Sequence, residues 1–232
     1  MINLEKFKHK NWLDGRIIAI NTDCFDVMRE IKDKEIDLVL TDPPYGIGFG
    51  KFNRTNKSSS GKRFKANKYH NSDWDSNIPN DSIFDEMIRV SKNQIIWGGN
   101  YFAKLWETAC KCFIFWKKNN PVPNFSDGEL AWTSFNSVAR CFNYNYYGNQ
   151  EGGGVAENKI HPTQKPVALM SWCLNNYSKE DDLIFDGFLG SGTTAISCIR
   201  TNRRFIGCEL DKEYFEKACE RIETELKQLT LF

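Results

Sequence analysis

The tetrapeptide Asp42-Pro43-Pro44-Tyr45 brings an acid, two rigid prolines and an aromatic ring to the end of a short apolar run, Ile36-Asp37-Leu38-Val39-Leu40-Thr41. Proline fixes φ and keeps the preceding residue extended, so two in succession make a stiff turn whose carbonyl oxygens point in set directions. Asp42 offers one acceptor, the Pro43 carbonyl a second, and Tyr45 a flat face. Such a cluster suits a planar group bearing an NH2, such as the amine of adenine or cytosine. Taken alone, the tetrapeptide reads equally well as a strand running into a proline turn.

A second apolar run, Leu183-Ile184-Phe185-Asp186, leads into Gly187-Phe188-Leu189-Gly190-Ser191-Gly192-Thr193-Thr194 and then the helical stretch Ala195-Ile196-Ser197-Cys198-Ile199. Glycines let a ligand approach the backbone, and a helix start exposes free N–H groups with partial positive charge. The next strand, Arg204-Phe205-Ile206-Gly207-Cys208, delivers Glu209. That acid falls about 20 residues past the glycines, the separation at which a carboxylate takes ribose hydroxyls. Together these features describe a nucleoside-cofactor site. A nicotinamide or flavin enzyme could use such a turn, but no dehydrogenase acid–base set accompanies it. A P-loop would need a lysine after the glycines, and none follows.

These pieces need a scaffold. Candidate strands are Ile17–Ile20, Asp37–Thr41, Gln94–Gly98, Cys112–Trp116, Glu129–Thr133, Val138–Asn143, Asp182–Phe185 and Arg204–Cys208. Candidate helices are Phe25–Ile31, Ser82–Val90, Tyr101–Glu107, Pro166–Tyr177, Thr193–Thr201 and Lys212–Leu229. In the last of these Phe215, Ala218, Cys219, Ile222, Leu226 and Leu229 share one face. Alternation of this kind predicts an α/β fold, a mainly parallel twisted sheet with helices on both faces. The consecutive strands Glu129–Thr133 and Val138–Asn143 predict an antiparallel hairpin at one edge.

In content and order these motifs resemble the N6-adenine/N4-cytosine DNA methyltransferases of beta-type order, in which the Asp-Pro-Pro-Tyr element precedes the S-adenosyl-L-methionine loop. Thr41-Asp42-Pro43-Pro44-Tyr45-Gly46 matches the catalytic element, and Phe185 to Thr194 resembles the cofactor loop. His161-Pro162-Thr163-Gln164-Lys165-Pro166 resembles the segment leading into the helix before that loop, and Asn21-Thr22-Asp23-Cys24 resembles an early Gly-Asp-Cys element that holds the cofactor's adenine. The resemblance implies a single Rossmann-like methyltransferase domain over residues 1–232. It implies methyl transfer from S-adenosyl-L-methionine to the exocyclic amine of a flipped base in double-stranded DNA. Catalysis would fall to Asp42, Pro43, Pro44 and Tyr45. Cofactor contacts would come from Asp23, Cys24, Asp42, Lys165, Asp186, Phe188, Gly190, Ser191, Gly192, Thr193 and Glu209. Asp186 would receive the cofactor ammonium, and Lys165 would pair with its carboxylate unless it is only a surface lysine at a helix start. An acid at position 42 favours adenine N6, since cytosine-N4 members more often have serine there. A cytosine-N4 enzyme and a catalytically inactive DNA-binding relative are the alternatives. Two departures stand out: Gly187 replaces the usual proline after the loop aspartate, and Thr22 stands where glycine is preferred.

Composition sets the remaining bounds. The chain has 232 residues, a net charge of +1 and 41% hydrophobic residues, enough for one well-filled core. Its eight cysteines include no Cys-x-x-Cys pair, so they read as reduced core thiols of a cytoplasmic protein, with no metal site expected. No run is apolar and long enough to suggest a membrane span. Positive charge is concentrated in Lys51, Arg54, Lys57, Lys62, Arg63, Lys65 and Lys68, with no acid between Lys51 and Ser72. Phe52, Phe64 and Tyr69 are interleaved with these cations. This predicts a basic loop insertion at about 47–79 that neutralises phosphates and stacks on bases. Lys117 and Lys118 form a second basic patch. Asn100 either borders the base pocket or caps the next helix. A short target-recognition segment is expected at about 143–159, and so small a reader leaves room for a homodimer or second subunit.

Overall fold

The computed structural model describes residues 2–48, 75, 77–119, 126–147, 150–151, 160–161 and 163–229. The strands are β1 (His9–Trp12), β2 (Ile17–Ile20), β3 (Ile36–Thr41), β4 (Ser91–Trp97), β5 (Phe113–Lys117), β6 (Gly128–Thr133), β7 (Arg140–Asn143), β8 (Tyr146–Tyr147), β9 (Gln150–Glu151), β10 (Leu183–Asp186) and β11 (Arg204–Cys208). The helices are α1 (Cys24–Met28), α2 (Ser82–Val90), α3 (Val167–Tyr177), α4 (Thr193–Arg200) and α5 (Lys212–Leu229).

One sheet runs in the order β1-β2-β11-β10-β3-β4-β6-β5-β7, and β8 and β9 form a separate antiparallel ribbon. Strands β2, β11, β10, β3 and β4 are mutually parallel, while β1 and β6 pair antiparallel with their neighbours. Period-two alternation loads both faces of the central strands. Leu38, Leu40, Ile95, Trp97, Ile184 and Phe205 pack with α3, α4 and α5 on one side. Val39, Ile96, Phe185 and Ile206 pack with α1 and α2 on the other.

From β3 the chain passes through α2 to β4 on one side, whereas from β10 it passes through α4 to β11 on the other. The sheet order therefore reverses between β3 and β10. In open α/β sheets that crevice, beyond the carboxyl ends of the strands, is where ligands bind.

Three expectations about elements need correction. The predicted hairpin between Glu129–Thr133 and Val138–Asn143 does not form. β6 fills both of its edges, with β4 through Ile96↔Trp132 and with β5 through Phe113↔Trp132, so β7 takes the free edge of β5 and runs parallel to it. The predicted helix Tyr101–Glu107 is instead two short 3-10 turns, Gly99–Tyr101 and Ala103–Trp106. Phe102 between them is extended, and the Trp106 indole donates back to the Gly99 carbonyl at 2.7 Å. The strand expected at Gln94 begins at Ser91, directly after α2, because Ser91 is at once the extended C-cap of that helix and the first ladder residue. β1 carried no sequence signal. It is the polar run His-Lys-Asn-Trp, an edge strand whose Lys10, with Lys8 just before it, ion-pairs with Glu223 and Glu216 of α5.

Candidate active site at the carboxyl edge of the sheet

Asp42 to Tyr45 follow β3 directly, and Gly187 to Gly192 follow β10 directly, so adjacent parallel strands deliver the two motifs side by side. The Thr41 hydroxyl, the last side chain of β3, donates to Asp186 Oδ1, the last acid of β10, at 2.7 Å. The two segments meet, as the motifs require.

On the elbow side, Pro43 is buried and Asp42 has a side chain 17% exposed. The Tyr45 hydroxyl donates to Asp42 Oδ1 at 2.6 Å, and Lys165 Nζ reaches Asp42 Oδ2 at 2.5 Å. The Tyr45 ring stacks on Tyr101, with centroids 4.7 Å apart and planes 12° from parallel. Beneath it lies Gly98, at φ +69°, where a Cβ would come within 2.0 Å of the ring. The backbone N–H groups of Tyr45 and Gly46 both donate to Asp75 Oδ1, at 2.8 and 2.9 Å, and Asp75 is buried. Burial pushes the Asp42 carboxyl above the ordinary range while Lys165 pulls it back. Burial also raises the Tyr45 phenol well above its usual value.

Lys165 is not a surface lysine. It also pairs with Glu129 Oε2 at 3.0 Å, and Glu129 in turn pairs with Lys118. Burial raises the Glu129 carboxyl, but Lys165 and Lys118 more than offset this and hold it at about 2. For Lys165, burial lowers the ammonium and the two carboxylates raise it, with a net upward shift. Of the two readings of Lys165, the surface lysine is the one the structure excludes, since its side chain is 5% exposed beside Asp42.

On the cofactor-loop side, Asp186 is buried and accepts from Thr41 and from the Phe188 N–H at 3.0 Å. Burial pushes it up to about 6. Glu209 accepts from the Gly190 N–H at 2.8 Å and the Asp211 N–H at 2.9 Å, and burial pushes it up to about 7. Gly190 and Gly192 take left-handed φ of +51° and +75°, the conformation glycine adopts without penalty. Ser191 and Thr193 are buried, their hydroxyls 3.0 Å apart, and Arg221 of α5 donates to the Ser191 carbonyl and the Thr193 hydroxyl. Asp23 caps α1 through the Phe25 N–H at 2.8 Å, and Cys24 is buried behind it. Gly187 does not have a positive φ; space is its constraint. A Cβ there would lie 3.2 Å from Cys24 Cβ and 3.4 Å from the Met87 methyl.

The basic candidates divide. Lys51, Arg54, Lys57, Lys62, Arg63, Lys65 and Lys68 lie outside the described residues. Lys117 is exposed at the end of β5. Lys118 is not a free cation: it pairs with Glu129 and lies 4.8 Å from the centre of the Trp116 ring. Asn100 is exposed in a 3-10 turn and caps no α-helix. All eight cysteines are unpaired, six of them buried. Among the described residues no helix is long and apolar enough to cross a membrane. Glu129, Asp75 and Tyr101 join the site without having been singled out in the sequence. Glu129 was visible only as the first acid of a strand, and Asp75 as an acid beyond the basic run.

An open sheet with a Rossmann-like switch point, an Asp-Pro-Pro-Tyr elbow on one side and a glycine turn on the other, defines the amino-methyltransferase class. A family model described as DNA methylase, of the N6/N4 type, matches residues 134–220. The type II methyltransferase M2.MboI of Moraxella bovis is 30% identical, aligned over 83% of this chain and 82% of its own. M2.DpnII of Streptococcus pneumoniae, another type II methyltransferase, is 28% identical over 91% of each chain. The crystal structure of an M1.HpyAVI–SAM complex superposes with a TM-score of 0.58 at 23% identity, covering 89% of this chain and 98% of that one. The chain belongs to the N6/N4 family of DNA methyltransferases, and DNA is its substrate.

Proposed function

We propose that this protein transfers the methyl group of S-adenosyl-L-methionine to the N6 amine of an adenine flipped out of double-stranded DNA. The observation that carries this reading is the contact of the two motifs across the switch point, through Thr41 and Asp186 at 2.7 Å. The residues fit the cofactor. Asp186 and Glu209 are carboxylates in buried surroundings whose contacts come from neutral donors, which suits a ligand that brings an ammonium and ribose hydroxyls. At Gly190 a Cβ would find only the Phe188 carbonyl, at 3.8 Å, so the backbone stands open to a ligand. Asp186 would take the ammonium, Glu209 the ribose, Asp23 and Cys24 would border the adenine, and Phe188 to Thr193 would line the methionine end.

When bound, the cofactor supplies an electrophilic methyl on sulfur. The chain's own residues then orient the amine. The lone pair of an adenine amine is delocalised into the ring. Hydrogen bonds from it to the Asp42 carboxylate and the Pro43 carbonyl favour a more tetrahedral nitrogen that can attack. The Tyr45 hydroxyl now holds Asp42 Oδ1, so an arriving amine must take that place while the Tyr45 ring turns to stack on the base. Flipping costs a few kcal/mol, and stacking on an aromatic side chain returns about 1–3 kcal/mol. The remainder is alignment of two reactants.

Lys117 and the cations between Lys51 and Lys68 would neutralise phosphates, with base readout from segments 47–79 and 143–159. The single domain of 1–232 would act in the cytoplasm of a bacterial cell, beside a restriction partner, as one subunit or as a dimer. Mass spectrometry of nucleosides from DNA incubated with the protein and labelled cofactor tests the proposal. Labelled N6-methyladenine is expected, and labelled N4-methylcytosine would move the assignment to the other base. Asp42→Ala should abolish transfer and leave cofactor affinity within about twofold by calorimetry. Full activity in that variant would remove Asp42 from the mechanism.

A further inference from the structure

Lys165 enters the site from the segment just before α3. Its ammonium lies 2.5 Å from Asp42 Oδ2, 3.0 Å from Glu129 Oε2 and 3.1 Å from the Tyr45 hydroxyl. The ammonium donates to Asp42 Oδ2 and the Tyr45 hydroxyl, and Glu129 Oε2 faces it as an ion-pair partner. The side chain is 5% exposed, and Nζ lies over the Tyr45 ring, 5.5 Å from its centroid. The main chain is fixed as well, since the Thr193 hydroxyl donates to the Lys165 carbonyl at 3.1 Å. One residue thus joins the cofactor loop, through its backbone, to the catalytic elbow, through its side chain.

A carboxylate that must accept from an amine needs one oxygen fixed and the other aimed. Asp42 has that arrangement: Lys165 holds Oδ2, and among the described residues Oδ1 accepts only from the hydroxyl of Tyr45. Glu129 secures Lys165 from the far side, and Lys118 secures Glu129. We propose that Lys165 is the positioning residue for Asp42, held in place by Glu129, and that it does not serve the carboxylate of the cofactor. The inference rests on the role given to Asp42 above.

The charged groups facing Asp42 set the sign of the test. Lys165 is the cation. Glu129 from β6 and Asp186 from β10 are like charges, and Tyr45 contributes a neutral phenol. With the ammonium gone, burial and two carboxylates remain, and all three favour the protonated acid. Loss of an adjacent cation typically moves a carboxyl by about 1–3 pH units.

The experiment is carbon-13 NMR titration of aspartate-labelled protein, with Asp42→Asn used to identify the Asp42 resonance. In Lys165→Met the Asp42 midpoint should rise by at least one pH unit, while the calorimetric Kd for S-adenosyl-L-methionine stays within about twofold. The paired variant Lys165→Met with Glu129→Gln removes one charge of each sign, which protects the fold, and should show a rise of the same direction. An unmoved midpoint in both variants would overturn the proposal. So would a cofactor Kd weakened tenfold or more, because the ammonium would then belong to the ligand. Failure of the wild-type protein to methylate any base would refute the proposed function, yet the Asp42 titration would still be readable.

Discussion

The Tyr45 ring rests on a residue with no side chain. Gly98 sits under the Tyr45 ring at φ +69°, and Tyr101 covers the ring from another side. A Cβ at position 98 would have to enter the ring, and the left-handed φ adds a penalty of about 1–2 kcal/mol for an L-residue. Gly98→Ala is therefore expected to displace Tyr45 and lower kcat at least tenfold, with cofactor Kd unchanged. Stopped-flow fluorescence of 2-aminopurine at the target position would register the loss of stacking. At this scale the sequence was informative about chemistry and silent about partners. Asp42, Tyr45, Asp186 and Glu209 announced themselves because acids and aromatics were placed at strand ends. Glu129 and Asp75 did not, because what makes them matter is which distant backbone or side chain they meet. Lys165 was visible as a residue type, but a lysine before a helix gives no hint that it is buried against two carboxylates.

Among elements, the proline turn is stiff but not self-supporting. Asp75 accepts from the N–H groups of both Tyr45 and Gly46, and its own carbonyl accepts from Gly48 at 2.9 Å. The chain therefore returns to the base of the elbow thirty residues later and closes it like a clasp. Asp75→Ala should lower kcat about tenfold or more without altering cofactor affinity. Asp75→Asn keeps the accepting oxygen and should recover most of the activity. Equal losses in both would show that charge rather than the hydrogen bonds is at work. Element type was legible wherever hydrophobic period was strong: α2, α5, β2 and β11 fall on their expected bounds. It was not legible around residues 101–107, where an indole-to-carbonyl bond and an extended Phe102 override a helical pattern. Nor could strand partnership be read from adjacency in sequence, because which edge of β5 or β6 was free depended on β4.

For the molecule as a whole, burial at the carboxyl edge of the sheet couples ligand binding to pH. Asp186 is pushed up to about 6, so it is largely protonated below that pH in the free protein. A group raised in the folded state favours folding below its ordinary value, and that contribution is lost as pH rises through the folded value. The free protein thus becomes harder to keep ionised at this site, and an ammonium that pairs with Asp186 relieves the cost. Cofactor affinity should weaken as pH falls from 7 to 5, approaching tenfold per unit below about 6, with proton release on binding near pH 6. Calorimetry in buffers of different ionisation enthalpy measures both, and a flat profile would take Asp186 out of the ammonium site.

The neighbours of β3 also have a bearing on how the protein is made. One of them, β4, begins at residue 91, but the other, β10, begins only at residue 183. A chain leaving the ribosome carries β3 with one flank bare until residues 183–186 have followed it. An uncovered strand of Leu-Val-Leu character is an invitation to pair with a stranger. The strand that carries the glycine turn is also the late partner, so the elbow after β3 has nothing to face until β10 docks.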